Sequence, residues 1–128
     1  MTYADVVEAV RATIATYTHA LDEGRTDDVV DTFWPEGVFE LTGVDTYEGA
    51  DALRAAYDSF KPQVPQRHLI SNTLLTNWSD TEASALSDVV MMIKMDSGWS
   101  PIFVAKYHDT LHQRDGAWKF ARRTIVEV

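Results

Sequence analysis

Four long strand-like segments fill the chain after Pro65, and they constrain its fold more than any other feature. Each segment is rich in apolar and β-branched residues. Short polar turns at Ser79-Asp80, Asp96-Ser97-Gly98 and Asp115-Gly116 separate them. Because connections this short can join only antiparallel neighbours, the pattern predicts an antiparallel meander. The four segments are QRHLISNTLLTNW, EASALSDVVMMIKM, SPIFVAKYHDTLHQR and GAWKFARRTIVEV.

The first half of the chain has the apolar spacing that is typical of helices. One apolar stripe predicts a first helix that ends near Gly24. Thr26 is a candidate N-cap for a short second helix ending at Pro35, and a third helix is predicted from Ala50 to Phe60 after a short strand, VFELTG. Helices followed by a meander indicate the α+β class, in a single domain over residues 1–128. The stripe of the first helix consists of Val7, Val10, Ile14, Tyr17 and Leu21.

The composition excludes several classes of function. The chain has 20 Asp and Glu residues against 11 Lys and Arg, which gives a formal net charge of −9. Such a surface repels nucleic-acid phosphates and anionic lipids, so neither a nucleic acid nor a membrane is expected as a partner. The absence of cysteine excludes disulfides, thiolate metal sites and cysteine nucleophiles. With no signal-peptide pattern and no apolar run of membrane-spanning length, a soluble cytoplasmic protein is the expectation.

Both faces of several predicted strands are apolar. In the first strand of the meander, Leu69 and Leu75 alternate with Ile70 and Leu74. A sheet that is apolar on both faces must be covered on both, and the helices can cover only one of them. The other face is therefore predicted to meet a second subunit, in a homodimer or a higher homo-oligomer.

Four stretches of this sequence together resemble a known family. They are YTHALDEG, YEGADALRAAY, RHLISN and KYHDTLHQRDGAWKF. With the order of helices and strands, they resemble the SnoaL-like branch of the nuclear-transport-factor-2-like superfamily over essentially the whole chain. The resemblance implies a cone: a strongly curved, mostly antiparallel sheet that wraps around three N-terminal helices and leaves a pocket at its open end. This fold hosts many functions, so the function has to be argued from the site.

The resemblance also implies a catalytic pair. The dehydratases and dehydrochlorinases of the superfamily have an aspartate at the end of the first helix that faces a histidine on the first long strand. The matching positions here are Asp22 and His68, and Tyr17 matches a tyrosine that one dehydratase has five residues before its aspartate. The alternatives are a solvated aspartate beside Glu23, a tyrosine that packs in the core, and a histidine that is only satisfied or exposed.

These residue types suit the chemistry of an elimination. A neutral imidazole can take a proton from carbon near neutral pH, and a carboxylate on the other ring nitrogen fixes its tautomer. A phenol can donate to a departing hydroxyl group or to a developing oxyanion. Under the resemblance, His68 is the expected general base, Asp22 its orienting partner and Tyr17 the donor.

Further residues are candidates for contact with a substrate. Asn72 follows His68 by four residues, so the parity of a strand places both on one face, where Asn72 binds substrate or satisfies the sheet. The resemblance places Tyr107 on the concave face, where relatives have a polar contact. The apolar candidates, each of which could equally be a core residue, are Trp34, Phe39, Leu41, Phe60, Met91 and Ile93.

Neither a metal nor a cofactor is expected. His108 and His112 are separated by roughly 13 Å along one strand, too far to share an ion. The dinucleotide, P-loop and zinc-protease motifs are absent. Asp109 is expected to be a partner of Arg122 or Arg123 rather than a pocket group.

The sequence thus predicts a cofactor-free lyase of the dehydratase type, or an isomerase, that acts on a small apolar cyclic substrate. Two other classes remain open. One is a non-catalytic protein that binds a small hydrophobic ligand in the same pocket. The other is a structural subunit of the kind found in ring-hydroxylating dioxygenases.

Overall fold

Three helices and six strands make up the computed structural model, which describes all 128 residues. The strand order in the sheet is β2-β1-β6-β5-β4-β3, and every neighbouring pair is antiparallel except β1 and β6. The α+β class and the curved sheet of a cone fold are confirmed. The elements are α1 (Tyr3–Asp22), α2 (Thr26–Val30), β1 (Phe33–Leu41), β2 (Asp45–Glu48), α3 (Ala50–Ser59), β3 (Gln66–Trp78), β4 (Glu82–Met95), β5 (Gly98–Arg114) and β6 (Ala117–Glu127).

The long helix α1 lies in the concave face of the sheet, where it packs against β3, β4 and β6. It begins with a capping box, in which the Thr2 hydroxyl accepts from the Asp5 amide and the Asp5 carboxylate accepts from the Thr2 amide. The predicted apolar stripe faces the core from Val10 onward. At the start of the helix, however, Val6 is fully buried and Val7 only half-buried.

Irregular pairing bends the long strands of the meander. The register between β3 and β4 shifts twice, and single shifts occur between β4 and β5 and between β5 and β6. An extra residue in one strand of a pair increases the local twist and bends the strand. The shifts therefore let the sheet wrap around α1, and its concave face holds the hydrophobic core.

One of these shifts reverses the predicted facing of β3. Asn72 has a positive φ of 56° and occupies a bulge between Ser71 and Leu74. Because the bulge changes the parity of the strand, Leu69 and Leu74 share the convex face, where they are 56% and 57% exposed, and Leu75 is buried. The prediction that Leu69 and Leu75 share a face is wrong for this reason.

The second helix is shorter than predicted. Helix α2 ends at Val30, and β1 begins at Phe33 and continues through Pro35. Pro35 lies between Phe33 and Val38, where the register of β1 with β6 shifts, so its missing N–H removes no regular ladder bond. The short strand β2 was not predicted from the sequence.

The convex face of the sheet is partly apolar and open. No helix covers it, and four apolar side chains on β3 and β5 are about half exposed: Leu69, Leu74, Ile102 and Val104. None of the helices has the length and apolar character needed to cross a membrane.

Candidate active site

The carboxylate of Asp22 and the imidazole of His68 are in direct contact. Asp22 is the last residue of α1, and His68 lies on β3, the edge strand of the sheet, so the backbone amide of His68 is free to bond outside the sheet. Asp22 Oδ2 accepts from this amide at 2.8 Å, and Oδ1 lies 2.6 Å from His68 Nδ1. Gln66 Nε2 donates to Oδ1 at 3.2 Å. Three donors therefore fix a carboxylate whose side chain is 6% exposed.

The electrostatics of the pair determine which ring nitrogen carries the proton. Burial tends to raise the pKa of Asp22, but hydrogen bonds from the ring and the backbone of His68 outweigh burial and hold that pKa below its usual value. An ionised carboxylate can only accept, so the neutral imidazole carries its proton on Nδ1. Nε2 then keeps a lone pair, and no protein group occupies it with a hydrogen bond. The ring is thus oriented and polarised as a general base would be.

His68 borders an apolar cavity of about 250 Å³ inside the cone. Its ring meets the ring of Phe103 edge-on, with the centroids 6.4 Å apart. Four of the apolar residues that the sequence predicted as substrate contacts form part of the wall: Phe39, Leu41, Phe60 and Met91. Three further apolar residues also form part of the wall: Leu21, Phe103 and Ile125.

Three tyrosines from different elements also line this cavity. Tyr17 on α1, Tyr57 on α3 and Tyr107 on β5 are each at most 2% exposed. The hydroxyl groups of Tyr17 and Tyr57 are 2.7 Å apart and hydrogen-bonded, whereas the Tyr107 hydroxyl has no partner in the protein. Burial raises the pKa of all three phenols, so they are neutral donors near pH 7.

A buried ion pair lies against these aromatic rings. Arg123 on β6 donates to Asp109 on β5, from Nε to Oδ1 at 2.9 Å and from Nη2 to Oδ2 at 3.3 Å, and neither side chain is exposed. The guanidinium carbon lies 3.5 Å from the ring centroid of Tyr107 and 4.3 Å from that of Tyr17. Burial raises the pKa of Asp109 to about 6, although Arg123 opposes this. Arg122 instead pairs with Glu40 at the surface.

Three candidates lie outside the apolar cavity. Asn72 does not share a face with His68, because its bulge turns the side chain to the convex face, where Nδ2 donates to Asp88 at 2.7 Å. Trp34 donates its indole N–H to the His112 carbonyl and packs against two cations at the other end of the sheet. Ile93 pairs with Gln66, two residues beyond Met91, and does not border the cavity.

A second depression, of about 760 Å³, lies on the other side of the pair between α1 and the free edge of β3. Ten of its fourteen lining residues are polar or charged, and both this groove and the apolar cavity are partly open to solvent. Asp22 borders only this groove, whereas His68 borders both the groove and the apolar cavity. His68 therefore lies between a groove lined mainly by polar residues and a cavity lined mainly by apolar residues. No cluster of three or more histidine, aspartate or glutamate side chains has the arrangement of a metal site.

Sequence reasoning missed Tyr57 and Gln66, and it named Arg123 only as one of two possible partners of Asp109, which the structure pairs with Arg123. Signals for the first two were present: Tyr57 lies three residues before Phe60 on a predicted helix, and Gln66 has the same strand parity as His68. In the sequence, Arg123 differs from its exposed neighbour Arg122 only in that alternate residues of β6 face opposite sides of the sheet.

Comparisons with known proteins agree with this architecture. A profile of the SnoaL-like domain family matches residues 2–124. A Mycobacterium tuberculosis protein of unknown function superposes with a TM-score of 0.90 at 24% identity, over 100% of this chain and 77% of that chain. A scytalone-dehydratase-like protein from Novosphingobium aromaticivorans superposes with a TM-score of 0.86 at 24% identity, over 100% of this chain and 89% of that chain. A Catenulispora acidiphila protein, solved in complex with S-DNPA, superposes with a TM-score of 0.87 at 26% identity, over 97% of this chain and 94% of that chain. No curated protein sequence matches the chain.

Proposed function

The chain belongs to the SnoaL-like family, and from this premise we propose that it is a cofactor-free lyase of the dehydratase type, or an isomerase. Its substrate would be a small, largely apolar, cyclic molecule. The observation that supports this proposal is His68 itself, which borders an apolar cavity while Asp22 binds its Nδ1 and no protein group binds its Nε2.

In the proposed reaction, His68 Nε2 takes a proton from a carbon next to an activating carbonyl group. The electrons of the broken C–H bond form an enolate, and Asp22 stabilises the imidazolium that results. In an elimination, the enolate then expels hydroxide, which takes a proton from a phenol of the Tyr17–Tyr57 pair and leaves as water. The imidazolium then gives up its proton, which restores the phenol, so that both groups return to their starting state. In an isomerisation, the imidazolium returns the proton to another carbon. Tyr17 thus keeps its proposed role as donor, with Tyr57 as its hydrogen-bonded partner.

The cavity limits the size of the substrate. Its volume of about 250 Å³ is slightly below the range of roughly 300–1,000 Å³ that is common for pockets of drug-sized ligands. Flat aromatic walls and few polar groups favour a molecule of one or two rings that carries one or two oxygens.

A turnover experiment tests the proposal. The purified protein is incubated with a panel of one- and two-ring β-hydroxy ketones, and the conjugated ketone is followed by its ultraviolet absorbance. We expect at least one member to be dehydrated, and His68→Gln to remove that activity without loss of fold. His112→Gln is the matched control, because His112 lies far from the cavity on β5. Equal rates in the wild type and in His68→Gln would reject the proposal.

A non-catalytic binding protein is the second candidate function, because the same cavity could hold a ligand without reacting with it. In that case substitution of His68 would change affinity, and no panel member would turn over. A structural-subunit role would instead require co-purification with a larger enzyme.

We further propose a homodimer through the convex face of the sheet. Leu69, Val90 and Val104 lie side by side across β3, β4 and β5, and Leu69 and Val104 are about half exposed. In the adjacent row, Lys106 bonds to Asp88 at 2.6 Å. An apolar row beside a charged pair suits a second copy, since a two-fold axis brings the same surface onto itself.

The cysteine-free, acidic composition fits a cytoplasmic protein, which cell fractionation would test.

A further inference from the structure

The side chain of Gln66 connects the buried carboxylate of Asp22 with the apolar cavity. Gln66 precedes His68 by two residues on β3, and both side chains border the cavity, as residues of the same strand parity can. Nε2 of Gln66 donates to Asp22 Oδ1 at 3.2 Å. Gln66 borders the cavity but not the polar groove, whereas Asp22 borders the groove but not the cavity. The amide therefore reaches from the carboxylate to the cavity.

The orientation of this amide follows from the charge of its partner. Asp22 is ionised and can only accept, so the NH₂ group of Gln66 faces it and Oε1 does not. Oε1 accepts no hydrogen bond from the protein, although Gln66 is only 5% exposed. It is not sealed either, because the sealed side-chain atoms without a partner belong to Thr26, Trp118 and Arg123. Since Gln66 borders the apolar cavity, a molecule in that cavity can reach Oε1.

The oxygen of this amide is an acceptor that the proposed reaction does not use. That reaction employs Nε2 of His68 as the base and a phenol of the Tyr17–Tyr57 pair as the donor. The bond to Asp22 uses only the NH₂ group of Gln66. A nearly buried amide oxygen without a partner is unfavourable, so a ligand that brings a donor to it gains a hydrogen bond at little further desolvation cost. The wall thus favours a ligand with a donor at this position.

We propose that Gln66 is a specificity-determining residue whose Oε1 accepts a hydrogen bond from the ligand. The ligand then carries a hydroxyl or N–H group besides its leaving group, on the part of its ring system away from the acidic carbon. Gln66 and His68 are separated by two residues of strand, roughly 6.6 Å, which a molecule of one or two rings can span. The inference rests on the proposed function for the identity of this ligand as the substrate. The contact itself can be measured without any turnover.

The experiment compares two probe molecules of the same shape. Indole donates through its N–H group and has no acceptor, and indene has a CH₂ group in place of that N–H. Their dissociation constants are measured by NMR titration for the wild type and for Gln66→Met, whose side chain has a similar length and no amide. We expect Gln66→Met to weaken indole binding about three- to tenfold, as for one neutral hydrogen bond, and to leave indene binding unchanged. Gln63→Met is the matched control, because Gln63 is exposed and lies outside the cavity.

A second variant separates this role from the hold on Asp22. Gln66→Glu keeps an acceptor oxygen at the cavity, so it should keep the wild-type ratio of indole to indene affinity. If Gln66 only positioned Asp22, Gln66→Met would change the affinities of both probes by one factor, or change neither, and either result would overturn the proposal. The wild type gives a measurement that needs no variant: the side-chain carbonyl carbon of Gln66 should shift further with indole than with indene. Equal shifts would also overturn the proposal.

The link to the reaction is tested with two ketones, 2-tetralone and 6-hydroxy-2-tetralone, whose α-protons exchange in D₂O if His68 is the base. We expect Gln66→Met to raise the KM of the hydroxylated ketone about three- to tenfold relative to that of 2-tetralone. An equal change for the two ketones would overturn the assignment of the donor to the substrate. A preference for indole that depends on Gln66, without exchange of either ketone, would support this contact and reject the proposed base.

Discussion

Replacing Asp22 by asparagine changes the shape of the side chain very little but should reverse the tautomer of His68. The carboxylate now accepts from the His68 amide at 2.8 Å, from His68 Nδ1 at 2.6 Å and from Gln66 at 3.2 Å. An asparagine has one oxygen, and the backbone amide can only donate, so we expect the oxygen to stay with the amide. The new NH₂ group then faces Nδ1, which must accept. The proton moves to Nε2, and the lone pair that is proposed to act as the base is lost.

The stability effect can be worked out from the same contacts. The charged bond to the imidazole is replaced by a neutral one, and the Gln66 amide must turn over, a loss of about 1.5–3 kcal/mol. Removing a negative charge from the last turn of α1 raises the free energy of unfolding by about 0.3–1 kcal/mol, because a carboxylate there opposes the helix dipole. We therefore expect Asp22→Asn to lower the free energy of unfolding by about 0.5–3 kcal/mol. Activity should fall by roughly 10³–10⁴, as for other catalytic pairs with the wrong tautomer.

Two measurements check this prediction. Nitrogen-15 NMR of the histidine side chains identifies which ring nitrogen of His68 is protonated at neutral pH, and urea unfolding gives the change in stability. Asp96→Asn is the matched control, since Asp96 lies in an exposed turn and makes no ion pair. An asparagine variant whose His68 keeps its proton on Nδ1, or whose stability equals that of the control, would refute the reasoning.

Three further predictions follow from single features of the fold. The pKa of Asp22 is lower in the folded protein than in the unfolded chain. Its stabilising effect is therefore complete above the ordinary carboxyl pKa and is lost as the pH falls through the folded pKa. In urea titrations, the stability difference between the wild type and Asp22→Asn should therefore shrink below about pH 4. Val104→Arg should halve the mass seen by light scattering without unfolding the chain; an unchanged dimer, or a wild-type monomer, would contradict the proposed interface. Gly37→Ala should lower the free energy of unfolding by about 1–3 kcal/mol, because the new Cβ would lie 2.9 Å from the Trp34 carbonyl oxygen; a variant as stable as the wild type would show that β1 can relax.

The fold could be predicted because its strongest patterns are local. The Asp115-Gly116 turn is one example: both residues have positive φ, as a tight hairpin between antiparallel strands requires. Pro35 misled the prediction, because a proline that usually ends a helix sits here in a register shift of β1. Asn72 also made the prediction wrong, since one extra residue in β3 moves the side chains of Leu74 and Leu75 to the faces opposite those expected, before the register shifts again. Bulges depend on tertiary pairing and leave no period in the sequence.

The candidate site was only partly predictable from the residues. Met91 was predicted as a pocket residue from its apolar strand, but the contact between Asp22 and His68 spans 46 residues of sequence and was expected only through the family resemblance. The depth of Arg123 depends on Asp109, its directly paired neighbour across β5 and β6, which makes a charged residue tolerable in the core. Such pairings become visible only when the strands are in register.

The measurement that tests the central claim most directly is deuterium exchange at carbon, which needs no leaving group. A two-ring ketone such as 2-tetralone is incubated with the protein in D₂O, and the loss of its α-proton signals is followed by proton NMR. We predict exchange well above the buffer rate for the wild type and for His112→Gln, and only the buffer rate for His68→Gln. Wild-type exchange at the buffer rate, or equal exchange in the wild type and His68→Gln, would contradict the assignment of His68 as the base.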